Sequence, residues 1–363
     1  MMVAMGKDDV YLVDLFTVLG GTQHDWVIHG SADRDVAADL NVPLQKFGEN
    51  LLPGVKVRLP EHERDSGDAE GRNINYAFFQ HVSQGDGSNG LQVRFQDEGH
   101  IGVRTHVIGQ TDGAVFLGDA PSVRRADEDE PLLDPIRMPM FLIRRKGSSP
   151  LESQFLAVHE PFSENASIDR IEKVAVKQGV YLKVYHGDFV DHILLQANSE
   201  GLEIGDLSFQ GEAGFVREQG GNLKAMGLWA GNQLGWQGST LAGEGAFEGQ
   251  VKGVRRIQDG DPHDALIVDG LPGGRSLAGA TVVVTFGDEM TLGFRVVEQD
   301  GHALVLETDP GFRVTGTGME HCFFPLRTIE GPVRFKLRTS VFMQFNGTDS
   351  DMTSIGRANF QVD

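Results

Sequence analysis

Two imidazoles and a carboxylate stand five residues apart near the start of this 363-residue chain: His24, Asp25 and His29. Neutral imidazole and carboxylate are ordinary zinc ligands, and a usable centre needs at least three such groups with partners behind them. The same atoms also serve as plain hydrogen-bonding groups on neighbouring backbone. A second constellation is basic. Arg124, Arg125, Arg137, Arg144, Arg145 and Lys146 fall within two neighbouring segments, and a guanidinium pairs bidentately with a carboxylate or sulfate. A third is polar: His159 and Glu160 follow an apolar run and precede Pro161, which places them at a sheet rim. Trp236, in a glycine-rich stretch, is the expected exposed aromatic for stacking on a sugar ring.

These groups need a β-framework to hold them. Tyr11 to Leu19 alternates in the manner of a strand, Gly20 and Gly21 mark a turn, and a second strand sets His24, Trp26 and Ile28 on one face and Asp25, Val27 and His29 on the other. The expectation is a hairpin that presents its imidazoles together. Residues 90–96, 102–108, 180–186 and 191–196 read as further half-buried strands, and the apolar runs 139–143 and 155–158 as central ones. Forty-seven glycines argue against long helices. The fold class is therefore all-β: a large antiparallel β-sandwich over residues 1–245, lacking its first strands, and a smaller β-domain over 246–363. Residues 40–73 read as a surface excursion, 124–131 as a solvated loop, and 271–274 as a turn of the smaller domain.

The segment VDLFTVLGGTQHDWVIHG (residues 13–30) resembles a hairpin of the heparinase II/III-like polysaccharide lyases. VFLGDAPSVRRA (115–126), MPMFLIRRKG (138–147) and FLAVHEPF (155–162) resemble the same family in a compatible order. The resemblance implies a supersandwich-like β-region that follows an (α/α) toroid, periplasmic or secreted location, and β-elimination on a uronic-acid polysaccharide. It also implies zinc in the intact protein, with His29 matching a hairpin ligand and His24 a weaker candidate. The other two ligands and the catalytic Asn, His and Tyr groups would lie outside this chain, so no catalytic residue is assigned within it, and no stable zinc is expected. Arg124, Arg125, Arg144, His159 and Trp236 are the substrate-binding candidates. The expected partners are an anionic polysaccharide, a missing or separately encoded toroid domain, and a second copy of the chain. A non-catalytic carbohydrate-binding or structural sandwich is the alternative, and a glycosidase has only scattered acids behind it.

Composition narrows the field. Lys and Arg number 32 against 52 Asp and Glu, a formal charge of -20 that repels nucleic acid and anionic membranes at long range. The single cysteine, Cys322, forbids an intrachain disulfide, and its apolar neighbours predict a small buried hydrophobe. There is no apolar run of about 18 residues to cross a membrane, and the first nine residues do not read as a signal peptide. Dinucleotide, phosphate-loop, zinc-protease and nucleophile-elbow motifs are absent.

Overall fold

The computed structural model describes residues 1–7, 9–52, 54, 74–109, 113–127, 132, 135–196, 200–271, 276–346 and 349–362. Most of the expected excursion 40–73, the acidic part of the 124–131 run and the turn centre at 272–274 lie outside the described residues. The chain forms two compact units, Met1–Ile168 and Asp169–Asp363.

Unit 1 is a sandwich of two antiparallel sheets. In chain order its strands are β1 (Met2–Ala4), β2 (Val10–Leu19), β3 (Gln23–His29), β4 (Ala37–Leu40), β5 (Gln45–Asn50), β6 (Gln80–Asp86), β7 (Leu91–Gln96), β8 (Ile101–Val107), β9 (Ala114–Pro121), β10 (Arg137–Lys146) and β11 (Glu152–Ser163). One sheet runs β1-β2-β11-β8-β7-β4 and the other β3-β10-β9-β6-β5. Their facing side chains close a core of Trp26, Leu91, Val93, Phe95, Phe141, Ile143 and Phe155 among others. Alternation explains it: Leu91, Val93 and Phe95 all fall on one side of β7, and the period of two sends every one of them inward.

The hairpin expectation fails in an instructive way. β2 and β3 are consecutive but do not pair; β2 bonds β1 and β11 while β3 bonds β10. Gly20 and Gly21, at φ +117° and +60°, instead carry the chain across from one sheet to the other. Side chains at such φ are strained, which is why glycine stands there. The crossing is tied to the β10–β11 connection by Gly20 N–H to Leu151 O and Gly147 N–H to Thr22 O.

Unit 2 holds a second sandwich and a barrel. A seven-stranded sheet (Arg170–Val174, Val180–His186, Phe189–Leu195, Ala213–Gln219, Asn222–Trp229, Ser340–Asn346, Asp349–Ile355) faces a five-stranded one whose members include Leu207–Gln210 and Gln233–Trp236. Ala246–Arg255, Ala265–Val268, Ala303–Leu306, Thr291–Asp300, Thr281–Thr285 and Arg334–Arg338 close into a barrel. The compact units divide at 168/169 where 245/246 was expected, and the barrel lies within the second of them. The physical reason is pairing: after the barrel, Ser340–Asn346 returns to bond Asn222–Trp229, and Asn359–Val362 to bond Ser239–Ala242. Cys322 is half-buried rather than buried. Among the described residues no helix is long and apolar enough to cross a membrane.

Candidate functional site

Three of the four stretches that carry the family resemblance become neighbours outright, and the fourth joins them. β10, which holds FLIRRK, pairs along the whole of β3, Met140 to His29 through Lys146 to Gln23. On its other side β10 pairs β9, with Phe141 opposite Leu117. β11, which holds FLAVHEPF, pairs β2, with Phe155 opposite Phe16. The motif residues then tie neighbouring strands, and in one case the two sheets, together. Asp25 receives two hydrogen bonds from Arg144, Nε and Nη2 each at 2.9 Å, across the β3–β10 pair. His24 reaches Ser153 Oγ at 2.7 Å through Nδ1 and the Gly20 carbonyl at 2.6 Å through Nε2. Both ring nitrogens are consumed, so His24 is corrected from a metal ligand to a buried strut between β3 and β11.

His29 and His159, placed far apart in sequence, meet at one cleft. An open cavity of about 680 Å³ at one end of the sandwich is lined by His29, Arg34, Phe95, Asp97, Thr105 and His159 among others. His29 Nδ1 lies 2.6 Å from the Gly30 carbonyl. His159 Nδ1 lies 2.9 Å from Thr105 Oγ1, its ring stacks near Trp26, and Nε2 stands 3.8 Å from Asp14. Burial pushes the His159 imidazole below its ordinary pKa, against the opposing pull of Asp14. Among the described residues no three His, Cys, Asp or Glu side chains gather at metal-binding distance. Among the described residues, therefore, no zinc-binding donor set forms around His29.

Arg124 and Arg125 do not present free charge: Arg124 pairs with Asp33 and Arg125 with Asp35, both at 2.6 Å. With Arg144 held by Asp25, the expected basic surface is neutralised by acids 90 to 119 residues away in sequence. His159 and Glu160 do not emerge at a rim. Both lie within β11, and Glu160 is wholly buried, bonded by Arg104 at 2.7 and 3.0 Å and by the Ile168 N–H at 2.7 Å. Trp236 is not an exposed platform. It packs into the unit 2 core with its ring 4.3 Å from His192, and its indole N–H is buried without a partner.

Because Arg144 is largely buried and Arg124 is 74% exposed, their removal should differ. Arg144→Ala is expected to lower stability by about 2 kcal/mol by stranding Asp25, whereas Arg124→Ala should stay within about 0.5 kcal/mol. Urea midpoints of the two variants check this; equal shifts would show that the Asp25–Arg144 pair is not the lock described.

One arrangement has no signal in the sequence. His81 sits at φ +52° where β6 slips register against β9, and its Nδ1 lies 2.9 Å from Asp119 Oδ2. Arg137 in turn bonds Asp119. Asp119 thus holds the exposed His81 ring through Nδ1. The bulge that aims His81 is visible only once β6 and β9 are paired.

The class defined by these features is an all-β protein whose first unit is a two-sheet antiparallel sandwich and whose second joins a sandwich to a six-stranded barrel. Compared with known proteins, the chain is matched by no family model and by no curated protein.

Proposed function

We propose that this chain is the β-region of a heparinase II/III-like polysaccharide lyase, which walls a cleft for a uronic-acid polysaccharide outside the cytoplasm. One observation supports the reading above the others: the four resembling stretches lie on β2, β11, β3, β10 and β9, which are contiguous in their two sheets. A chance likeness of four separate segments has no reason to assemble into one patch. Within the patch, Asp25–Arg144 and His24–Ser153 are architectural contacts.

β-Elimination needs a base for the C5 proton, a donor for the leaving oxygen and a group that neutralises the sugar carboxylate. His81 on Asp119 has the geometry of a proton acceptor, but the guanidinium beside it, Arg137, is itself bonded to Asp119. The reaction therefore calls on groups of an (α/α) toroid, on the same or a separate polypeptide. The second reading, a non-catalytic carbohydrate-binding or structural sandwich, is favoured by the ion-pairing of Arg124, Arg125 and Arg144.

The test is formation of unsaturated sugar products from heparan sulfate, hyaluronan and alginate by the purified chain. No sustained turnover is expected from these 363 residues alone. Steady product release, abolished by His81→Ala, would contradict the assignment of the essential groups to a toroid.

A further inference from the structure

The groove along the bulged edge of β5 is lined by three amides, one aromatic ring and the charged residues Lys46 and Asp86, and no motif of the sequence points to it. Its volume is about 700 Å³, within the range of about 300 to 1,000 Å³ common for small-ligand sites. Gln45 of β5 and Gln84 of β6 are direct cross-strand partners on one wall, and Asn89 stands on the turn after β6. None of these three amides has a side-chain hydrogen bond to another described residue, so among the described residues the groove holds three sets of unused donors and acceptors.

Phe47 is the extra residue of a β-bulge: Lys46 pairs with Ser83 and Gly48 with Val82, leaving Phe47 unmatched. A bulge re-aims its side chain, and here Phe47 both lines the groove and leans edge-on against buried Phe116, with ring centroids 5.1 Å apart. That contact fixes the ring before any ligand arrives. The turn after β6 is tied down as well, because Asp86 accepts the Ser88 N–H at 2.9 Å and Gly90 N–H bonds Gly87 O. Lys46, the one cation of the groove lining, lies 3.1 Å from Glu49.

We infer that this groove is a glycan subsite that reads sugar hydroxyls by Gln45, Gln84 and Asn89 and seats a pyranose against Phe47, independently of charge. A hydroxyl both donates and accepts, as a primary amide does, and the apolar C–H face of a pyranose matches an aromatic ring. An added peptide strand is disfavoured because the bulge breaks the ladder of the β5 edge. The inference rests on the polysaccharide reading and deepens it: the polymer is held through its hydroxyls, not through the arginines that the acids already neutralise.

Calorimetric titration of the whole chain with hyaluronan hexasaccharide and with neutral cellohexaose, at low and at high NaCl, tests it. Both should bind, with affinity changing less than about twofold with salt, in contrast to charge-dominated binding. Phe47→Ala should weaken both by about tenfold and Gln84→Ala by about fivefold, with Phe47→Leu as a milder variant and circular dichroism checking that each is folded. Unchanged affinity in folded Phe47→Ala and Gln84→Ala would overturn the subsite while leaving the polysaccharide reading in place. Steep loss with salt would do the same, as would binding to heparan sulfate without binding to either oligosaccharide. Failure to bind any glycan would remove the polysaccharide reading together with the subsite.

Discussion

Glu160→Ala is expected to destabilise unit 1 by about 3–5 kcal/mol, because it leaves a largely buried guanidinium without its counter-charge. Glu160 has no solvent exposure, and its two oxygens are fully used: Arg104 holds one through Nε and Nη2, and the backbone N–H groups of Ser167 and Ile168 hold the other. Arg104 also donates to the Ile168 carbonyl at 2.5 Å, so one carboxylate and one guanidinium anchor the last residues of the unit. Burial alone would raise the Glu160 pKa. The polar His106 ring, the Ile168 N–H and Arg104 outweigh burial and hold it at about 2. His106 Nε2 stands 3.8 Å from the Glu160 carboxylate.

The depressed value fixes the sign of the pH dependence. Stability from Glu160 is fully present above the ordinary carboxylate pKa and is lost as pH falls through about 2. The urea midpoint of Glu160→Gln should therefore lie below that of the native chain at pH 6, and the gap should narrow as pH falls from about 4.5 toward 2. A gap that stays constant over that range would show that Glu160 is not held ionised by these partners.

The second large effect is expected in unit 2. Asp191 is fully buried and receives Arg217 Nε at 2.6 Å, Arg217 Nη2 at 2.7 Å and His186 Nε2 at 3.0 Å. Burial works to raise its pKa, and Arg217 and His186 together carry it below the usual carboxylate value. Asp191→Ala is expected to cost about 3–5 kcal/mol. The penalty belongs to the stranded Arg217, so the double variant Asp191→Leu/Arg217→Met should recover most of it. Denaturant midpoints of the two single variants and the double variant close the cycle; additive losses would show that the two residues act separately.

Alternation was enough to place most of unit 1. The strands expected at 90–96 and 102–108 appear as Leu91–Gln96 and Ile101–Val107, and the apolar runs 139–143 and 155–158 lie in β10 and β11, each flanked by a strand on both sides. Which strand bonds which was not legible. The pair Gly20–Gly21 suits a hairpin turn and a crossing between sheets equally well, and the choice is made by Leu151 and Gly147, more than 120 residues onward. The domain boundary misled for a related reason: the barrel is an insertion between strands of one sandwich, and its return, Ser340–Asn346, carries no mark of its distant partner Asn222–Trp229.

The candidate site was less legible than the fold because charge pairing is a tertiary property. Arg124 and Arg125 look like an anion-binding pair until the segment bearing Asp33 and Asp35 is folded against them. His159 and Glu160 look like a strand-end pair before Pro161, yet β11 runs through that proline to Ser163. The fold brings His29 and His159 to one cleft, although among the described residues no three ligand side chains gather there at metal-binding distance. His81, Asp119 and the Gln45–Gln84 pair gave no sequence signal, since each depends on a bulge that appears only when strands are paired.

The proposal that this chain is the polysaccharide-binding β-region of a lyase, with the acid/base groups on a toroid, makes a direct prediction. Equilibrium binding of the purified chain to heparan sulfate, hyaluronan and alginate, with unsaturated products followed in the same samples, tests it most directly. The account predicts saturable binding to at least one of these polymers and no accumulation of product. Absence of binding to all three, or binding accompanied by steady cleavage, would contradict it.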